Sequence, residues 1–143
     1  MTKILIIEAR FYPEIADELC RGAIAEIAAA GGSVARVAVP GVLEMPAALA
    51  IAHDSGKFDG YVMLGCVIRG ETSHYDIVAI ESARAIMDFA VQNRVAVGNG
   101  ILTVENRDQA MVRARVDQKN KGADAARAAL AVKELKLQFG KPD

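Results

Sequence analysis

The residues best suited to chemistry lie in one short stretch, Arg69-Gly70-Glu71-Thr72-Ser73-His74. An apolar run from Gly60 to Ile68 stops at Arg69-Gly70, and a helix-compatible segment then opens at Thr72-Ser73 with His74 in its first turn. That is the pattern of a strand, a tight turn and a helix N-terminus. Gly70 gives the backbone conformations closed to other residues and lets a ligand come close. Free N–H groups of the following turn favour an anion, and a histidine placed there can move a proton near neutral pH. An anion cradle and an acid/base therefore coincide. The same residues also fit a plain capping box, in which Ser73 caps the helix and Asp76 answers three residues on, and a capped helix needs no ligand.

Size and composition bound the function. The 143 residues suit a single domain spanning 1–143, long enough to bury a core. Hydrophobic residues make up 52% and charged residues 24%, which describes an ordered, globular chain. The net charge of −1 carries no basic excess, so nucleic acid is not the expected partner. Apolar runs such as Ile4–Ile7 and Tyr61–Leu64 fall far short of the roughly 20 residues that cross a bilayer. The first residues lack the pattern of a signal peptide, and a cytoplasmic location is expected. Cys20 and Cys66 form no CxxC and no Cys/His pairing with metal-ligand spacing, so both read as small packing residues and no metal site is expected.

The elements that must hold the turn in place follow in order. Lys3 to Glu8 suits a strand buried on both faces. Pro13 can open a helix in which Ile15, Leu19, Ala23 and Ile27 recur at helical spacing, ended by Gly31-Gly32. Ser33 to Val39 alternates as a second strand, and Glu44 to His53 returns to helical period. Phe58 to Ile68 is the third strand region. Thr72 to Asn93 is the longest helix, with Ile77, Ile80, Ala83, Ile86 and Met87 as its apolar stripe. Val95 to Thr103 gives a fourth strand, interrupted by Gly98-Asn99-Gly100. Two helices, Glu105 to Arg115 and Gly122 to Gln138, complete the chain.

Regular strand-helix alternation predicts an α/β three-layer sandwich, with a four-stranded parallel sheet and helices on both faces. Ligands bind such sheets beyond the carboxyl ends of the strands. Arg10-Phe11, Gly41 to Glu44, Arg69 to His74 and Leu102-Thr103 each follow or end a strand, so all are expected on one rim. Taken singly, Phe11 could cover the core edge, Glu44 could complement a helix dipole, and Arg113 with Lys121 could be solvated charges.

Five blocks in order resemble the 6,7-dimethyl-8-ribityllumazine synthase family. They are Ala9-Arg10-Phe11, Val39-Pro40-Gly41-Val42-Leu43-Glu44-Met45-Pro46, Gly65 through Asp76, Gly100-Ile101-Leu102-Thr103, and Arg113 with Asn120-Lys121-Gly122. The resemblance spans nearly the whole chain and implies a flavodoxin-like fold. It implies a transferase that joins 5-amino-6-(D-ribitylamino)uracil to 3,4-dihydroxy-2-butanone 4-phosphate, without metal or organic cofactor, in the penultimate step of riboflavin biosynthesis.

The resemblance also implies roles. Phe11 would stack on the pyrimidine ring, and Glu44 with the backbone of Val42 and Leu43 would hold the ribityl hydroxyls. Cys66, Val67 and Ile68 would line the ring site through main-chain groups. Glu71 and Thr72 would seat the phosphate, with Arg113 as its clamp and Lys121 close by. His74 would carry protons in imine formation, phosphate elimination and ring closure.

The chain departs from the family's pattern in three places. Asn99 stands where an aromatic commonly reaches a neighbour's site, and its amide could hydrogen-bond to the heterocycle. Leu43 replaces the usual aromatic beside Glu44, and Arg115-Val116-Asp117 replaces Gly-Thr-Lys. Homopentamers with active sites at subunit contacts are the implied assembly. Simple pentamers are expected over a sixty-subunit shell, because the chain opens directly at the first strand. A flavin- or lumazine-binding storage protein on the same scaffold is the alternative, kept open by Asn99 and Leu43.

Overall fold

In the computed structural model, residues 1–140 are described, and residues 141–143 of the expected 1–143 domain lie outside the described residues. Four strands form one parallel sheet in the order β2-β1-β3-β4. They are β1 (Lys3–Ala9), β2 (Ser33–Val39), β3 (Gly60–Ile68) and β4 (Val97–Val104), joined by α1 (Pro13–Ala29), α2 (Met45–Asp54) and α3 (His74–Asn93), with α4 (Arg107–Ala114) and α5 (Lys121–Phe139) closing the chain. A short 3-10 turn, Val42–Glu44, leads into α2.

The sheet divides two apolar cores, as the alternation of strand faces requires. Ile4, Ile6, Val62, Leu64 and Leu102 pack against α1, α4 and α5 on one side. On the other, Leu5, Ile7, Tyr61 and Met63 pack against α2 and α3. This is the three-layer arrangement expected from the sequence, with flavodoxin-like topology. The chain leaves β1 toward β2 and then returns across β1 to β3, so the strand order reverses between β1 and β3. Crevices form at such reversals, beyond the carboxyl ends of the strands.

Two readings of the sequence need correction. Gly98-Asn99-Gly100 does not interrupt the fourth strand: β4 runs unbroken through it, paired with Val62, Met63 and Leu64 of β3. The glycines are there for contact. A Cβ at Gly98 would lie 1.7 Å from the Ala125 carbonyl oxygen of α5, so only a bare backbone lets helix and strand meet at this distance. The apolar stripe of α3 is also not a core stripe. Of its five residues only Ile86 is buried, and the inward positions are Val78, Ser82 and Ile86. Ile77, Ile80 and Met87 face outward, Ile80 at 61% and Met87 at 64% exposure, and Val91 extends the face.

One polar cluster went unread in the sequence. Glu8 is 2% exposed within the apolar run of β1. Its carboxylate accepts a 2.7 Å bond from Arg10 Nη1 and another, also 2.7 Å, from Arg36 Nε. Burial alone would push the Glu8 carboxyl up, but the bonds from Arg36 and Arg10 outweigh it and hold the group below its ordinary value.

Candidate active site

The carboxyl ends of β1, β2 and β3 surround a hollow of about 310 Å³. Phe11, Glu44, Cys66, Ile68 and His74 are on its wall, together with Val42, Leu43 and Val67. Eight of the expected site residues thus line one hollow. Each arrives there for a local reason. Phe11 lies in the three-residue step, Arg10 to Tyr12, between β1 and the start of α1 at Pro13, and it stands 73% exposed. Tyr12 braces it edge-on, with ring centroids 4.9 Å apart. An exposed, braced aromatic is a ready stacking surface for a flat ring.

Glu44 ends the 3-10 turn and is the residue from which α2 starts. It is exposed, and no cation pairs with it among the described residues. A carboxylate left open in this way can accept bonds from ligand hydroxyls. Cys66 sits deeper, 8% exposed. Burial pushes its thiol up to about 11, against a smaller pull down from Arg107, so it is neutral and unreactive near pH 7. Its expected part is packing and main-chain contact, which this environment suits.

The turn before α3 bears out the strand-turn-helix reading and departs from the capping box. Ser73 sits at the N-cap with no side-chain cap bond. Asp76 does not answer it and instead lies 3.6 Å from Arg69. Thr72 Oγ1 accepts the His74 N–H at 3.2 Å. Among the described residues the N–H groups of Glu71, Thr72 and Ser73 have no acceptor, and they stand at a helix N-terminus. Both features favour an anion. Arg69 fixes the turn from behind: its N–H donates to the Val104 carbonyl at 2.9 Å, its Nε to Glu105 at 2.7 Å, and its guanidinium lies 4.3 Å from the Tyr75 ring centre. His74 therefore starts a helix whose first turn is anchored to the ends of both β3 and β4.

The remaining candidates are elsewhere. Asn99, Arg113 and Lys121 line a second hollow of about 360 Å³ between β4 and the α4–α5 corner. Arg113 Nη1 donates to the Gln109 carbonyl at 3.1 Å and meets no carboxylate among the described residues. Lys121 is 3.3 Å from Asp124. Asn99 Oδ1 accepts the Ile101 N–H at 2.9 Å. A backbone N–H can be bonded only by the carbonyl side of the amide, so Asn99 presents its NH2 outward as a donor. Within one chain, then, Phe11 and His74 line one hollow and Arg113 and Lys121 another. Tyr12, Pro40 and Val78 also line the first hollow and were missed. Tyr12 could have been found as the aromatic neighbour of Phe11; nothing local marks Val78.

Comparison with known proteins matches residues 1–136 to the family described as 6,7-dimethyl-8-ribityllumazine synthase. The chain is 62% identical over 134 residues to the 6,7-dimethyl-8-ribityllumazine synthase of Methylobacterium radiotolerans, covering 94% of this chain and 82% of that one. It is 55% identical over 138 residues to the protein of the same name from Bartonella tribocorum, covering 96% and 91%. A third, from Nitrobacter hamburgensis, is 55% identical over 144 residues, covering 97% and 88%.

Proposed function

The chain belongs to the 6,7-dimethyl-8-ribityllumazine synthase family, and we infer from that membership that it is a transferase of riboflavin biosynthesis. It condenses 5-amino-6-(D-ribitylamino)uracil with 3,4-dihydroxy-2-butanone 4-phosphate to give 6,7-dimethyl-8-ribityllumazine, phosphate and water. The observation that carries the assignment of the site is the meeting of Phe11, Glu44 and His74 around one hollow beyond the sheet.

The proposed roles are those that the family resemblance implies, and that geometry supports them. Phe11 stacks on the pyrimidine ring, and Cys66, Val67 and Ile68 border it through the main chain. Glu44, with the backbone of Val42 and Leu43, takes the ribityl hydroxyls. Glu71 and Thr72 seat the phosphate on their free N–H groups, the Glu71 carboxylate turned aside. The primary amine attacks the ketone and water leaves to form an imine. Loss of phosphate leaves an enol that becomes a second carbonyl. The ribityl-bearing nitrogen closes on that carbon, and a second water leaves. These steps need protons delivered and removed, and His74 at the mouth serves each. Holding both substrates in one pose supplies most of the rate.

The split between the two hollows supports a site completed by a second copy. Asn99, Arg113 and Lys121 of one protomer would face Phe11 and His74 of the next, with Asn99 offering its NH2 to a heterocycle acceptor. The outward apolar face of α3 supports assembly in the same way, since a row of exposed Ile and Met is ordinarily covered. The proposed form is a homopentamer of single-domain chains in the cytoplasm. No helix among the described residues is long and apolar enough to cross a membrane.

Steady-state turnover with both substrates tests the function, and Arg113→Ala tests the phosphate site. The variant should raise KM for the butanone phosphate about ten- to a hundredfold while leaving KM for the uracil substrate nearly constant. Product binding without any turnover would overturn the enzyme reading in favour of a storage protein. Equal loss of both substrates would overturn the clamp.

A further inference from the structure

Asn120 is one of two non-glycine residues with positive φ among the described residues, at φ 47 and ψ 52. It holds the N-cap position of α5, where Asn is ordinarily present to cap in an extended conformation. Here it is left-handed and makes no side-chain cap bond. Capping therefore does not explain it. The turn it closes is tight: the Arg115 carbonyl accepts both the Gln118 N–H at 3.1 Å and the Asn120 N–H at 3.0 Å, and the Lys119 N–H reaches back to Val112 at 3.1 Å. Asn is among the few side chains that tolerate this backbone region.

The side chain of Asn120 is turned to α1. Its Oδ1 is buried and has no hydrogen-bond partner among the described residues. It fills the space that a Cβ at Gly22 would need, 2.1 Å from where that atom would stand. Two residues on, a Cβ at Gly122 would stand 2.0 Å from the Leu19 carbonyl oxygen. Lys121 is thus flanked by two positions jammed against α1, and its own side chain lines the hollow shared with Arg113. The corner that Asn120 closes joins the helix bearing Arg113 to the helix bearing Lys121.

We infer that Asn120, backed by Gly22 of α1, is a positioning residue for the phosphate substrate: it sets where Lys121 and Arg113 stand relative to each other without touching the ligand. The inference rests on the reading of that hollow as the phosphate site. An unsatisfied buried carbonyl is costly, and it persists here where a shift of the amide would carry the adjoining lysine with it.

Gly22→Ala tests this from the far side of the contact, since Gly22 lines neither hollow. The added methyl overlaps Asn120 and must displace it. KM for 3,4-dihydroxy-2-butanone 4-phosphate should rise about tenfold, as sub-ångström to ångström displacements of binding groups do. KM for the uracil substrate and kcat at saturation should stay within about twofold. A merely structural role would lower the folded fraction, and so the apparent kcat, without moving one KM against the other. Gly22→Ala combined with Asn120→Gly removes the overlap and keeps the left-handed turn, so it should return KM toward the parent value.

An unchanged KM in a Gly22→Ala protein with native circular dichroism and native mass overturns the inference, as does a double variant as impaired as the single one. If Gly22→Ala does not fold, Asn120→Ala against Asn120→Gly decides: a higher butanone phosphate KM in the alanine variant supports the inference, and equal values overturn it. Arg113→Ala separates the two levels. A raised KM there with an unmoved one in Gly22→Ala sinks the positioning role alone, whereas an unmoved KM in Arg113→Ala sinks the phosphate reading and this inference together.

Discussion

Arg36 Nε donates to Glu8 Oε2 at 2.7 Å, and the bond ties the edge strand β2 to the strand at the middle of the sheet. Arg10, two residues beyond Glu8, shares the carboxylate and also pairs with Asp17 of α1. Arg10 immediately precedes Phe11, so the cluster anchors the segment that carries this exposed ring.

A pH dependence of stability follows. The folded carboxyl of Glu8 is held below its ordinary value, so the folded state binds fewer protons there than the unfolded chain. The stabilisation is present above the ordinary carboxylate range and is lost as pH falls through the lower folded value. Thermal midpoints should decline on acidification below about pH 4.5. Glu8→Gln should flatten that decline and cost about 1–3 kcal/mol at pH 7, because its guanidinium partners are partly exposed and can rehydrate. A variant that melts as the parent does at every pH would remove the cluster from the stability of the fold.

Substitution of the histidine separates proton transfer from binding. His74→Ala should lower kcat by about 10²–10⁴-fold, the usual worth of a positioned acid/base. Affinity for 6,7-dimethyl-8-ribityllumazine, read by fluorescence titration, should change little, since Phe11 and Glu44 remain. An unaltered rate would take His74 out of the mechanism.

The outward face of α3 makes a claim about assembly. Ile80→Asp with Met87→Asp places two charges on exposed positions of the helix, outside the core of the single chain. Sedimentation should show the parent as a pentamer and the variant shifted toward one chain, with turnover lost in proportion. A variant that sediments unchanged would show that this face is not covered by another copy.

What the sequence disclosed was what local pattern can encode. The apolar run of β1 and the Gly70 to His74 turn were readable because strand, breaker and helix start each leave a mark within a few residues. The α3 stripe shows the limit: period reveals that a helix has an apolar side, but not whether its own sheet or a neighbour covers it, and only Ile86 turned inward. Gly98 misled for a related reason. Glycine marks breaks and close approaches alike, and the helix that approaches here is distant in sequence. Glu8 was invisible because one of its partners, Arg36, lies 28 residues on in a strand that reads as half solvated. Asn99, Arg113 and Lys121 were identified by resemblance, yet their separation from Phe11 and His74 is a matter of tertiary distance that no spacing reports.

The bare backbone of β4 has one more effect. With Ala125 of α5 seated directly on Gly98, no cushion of side chains lies between helix and strand that could compress or slide. Ala125 also lines the recess that holds Arg113 and Lys121, so that wall is held rigidly against the sheet. Two missing methyl groups in a strand thus set how near a whole helix can stand to the sheet.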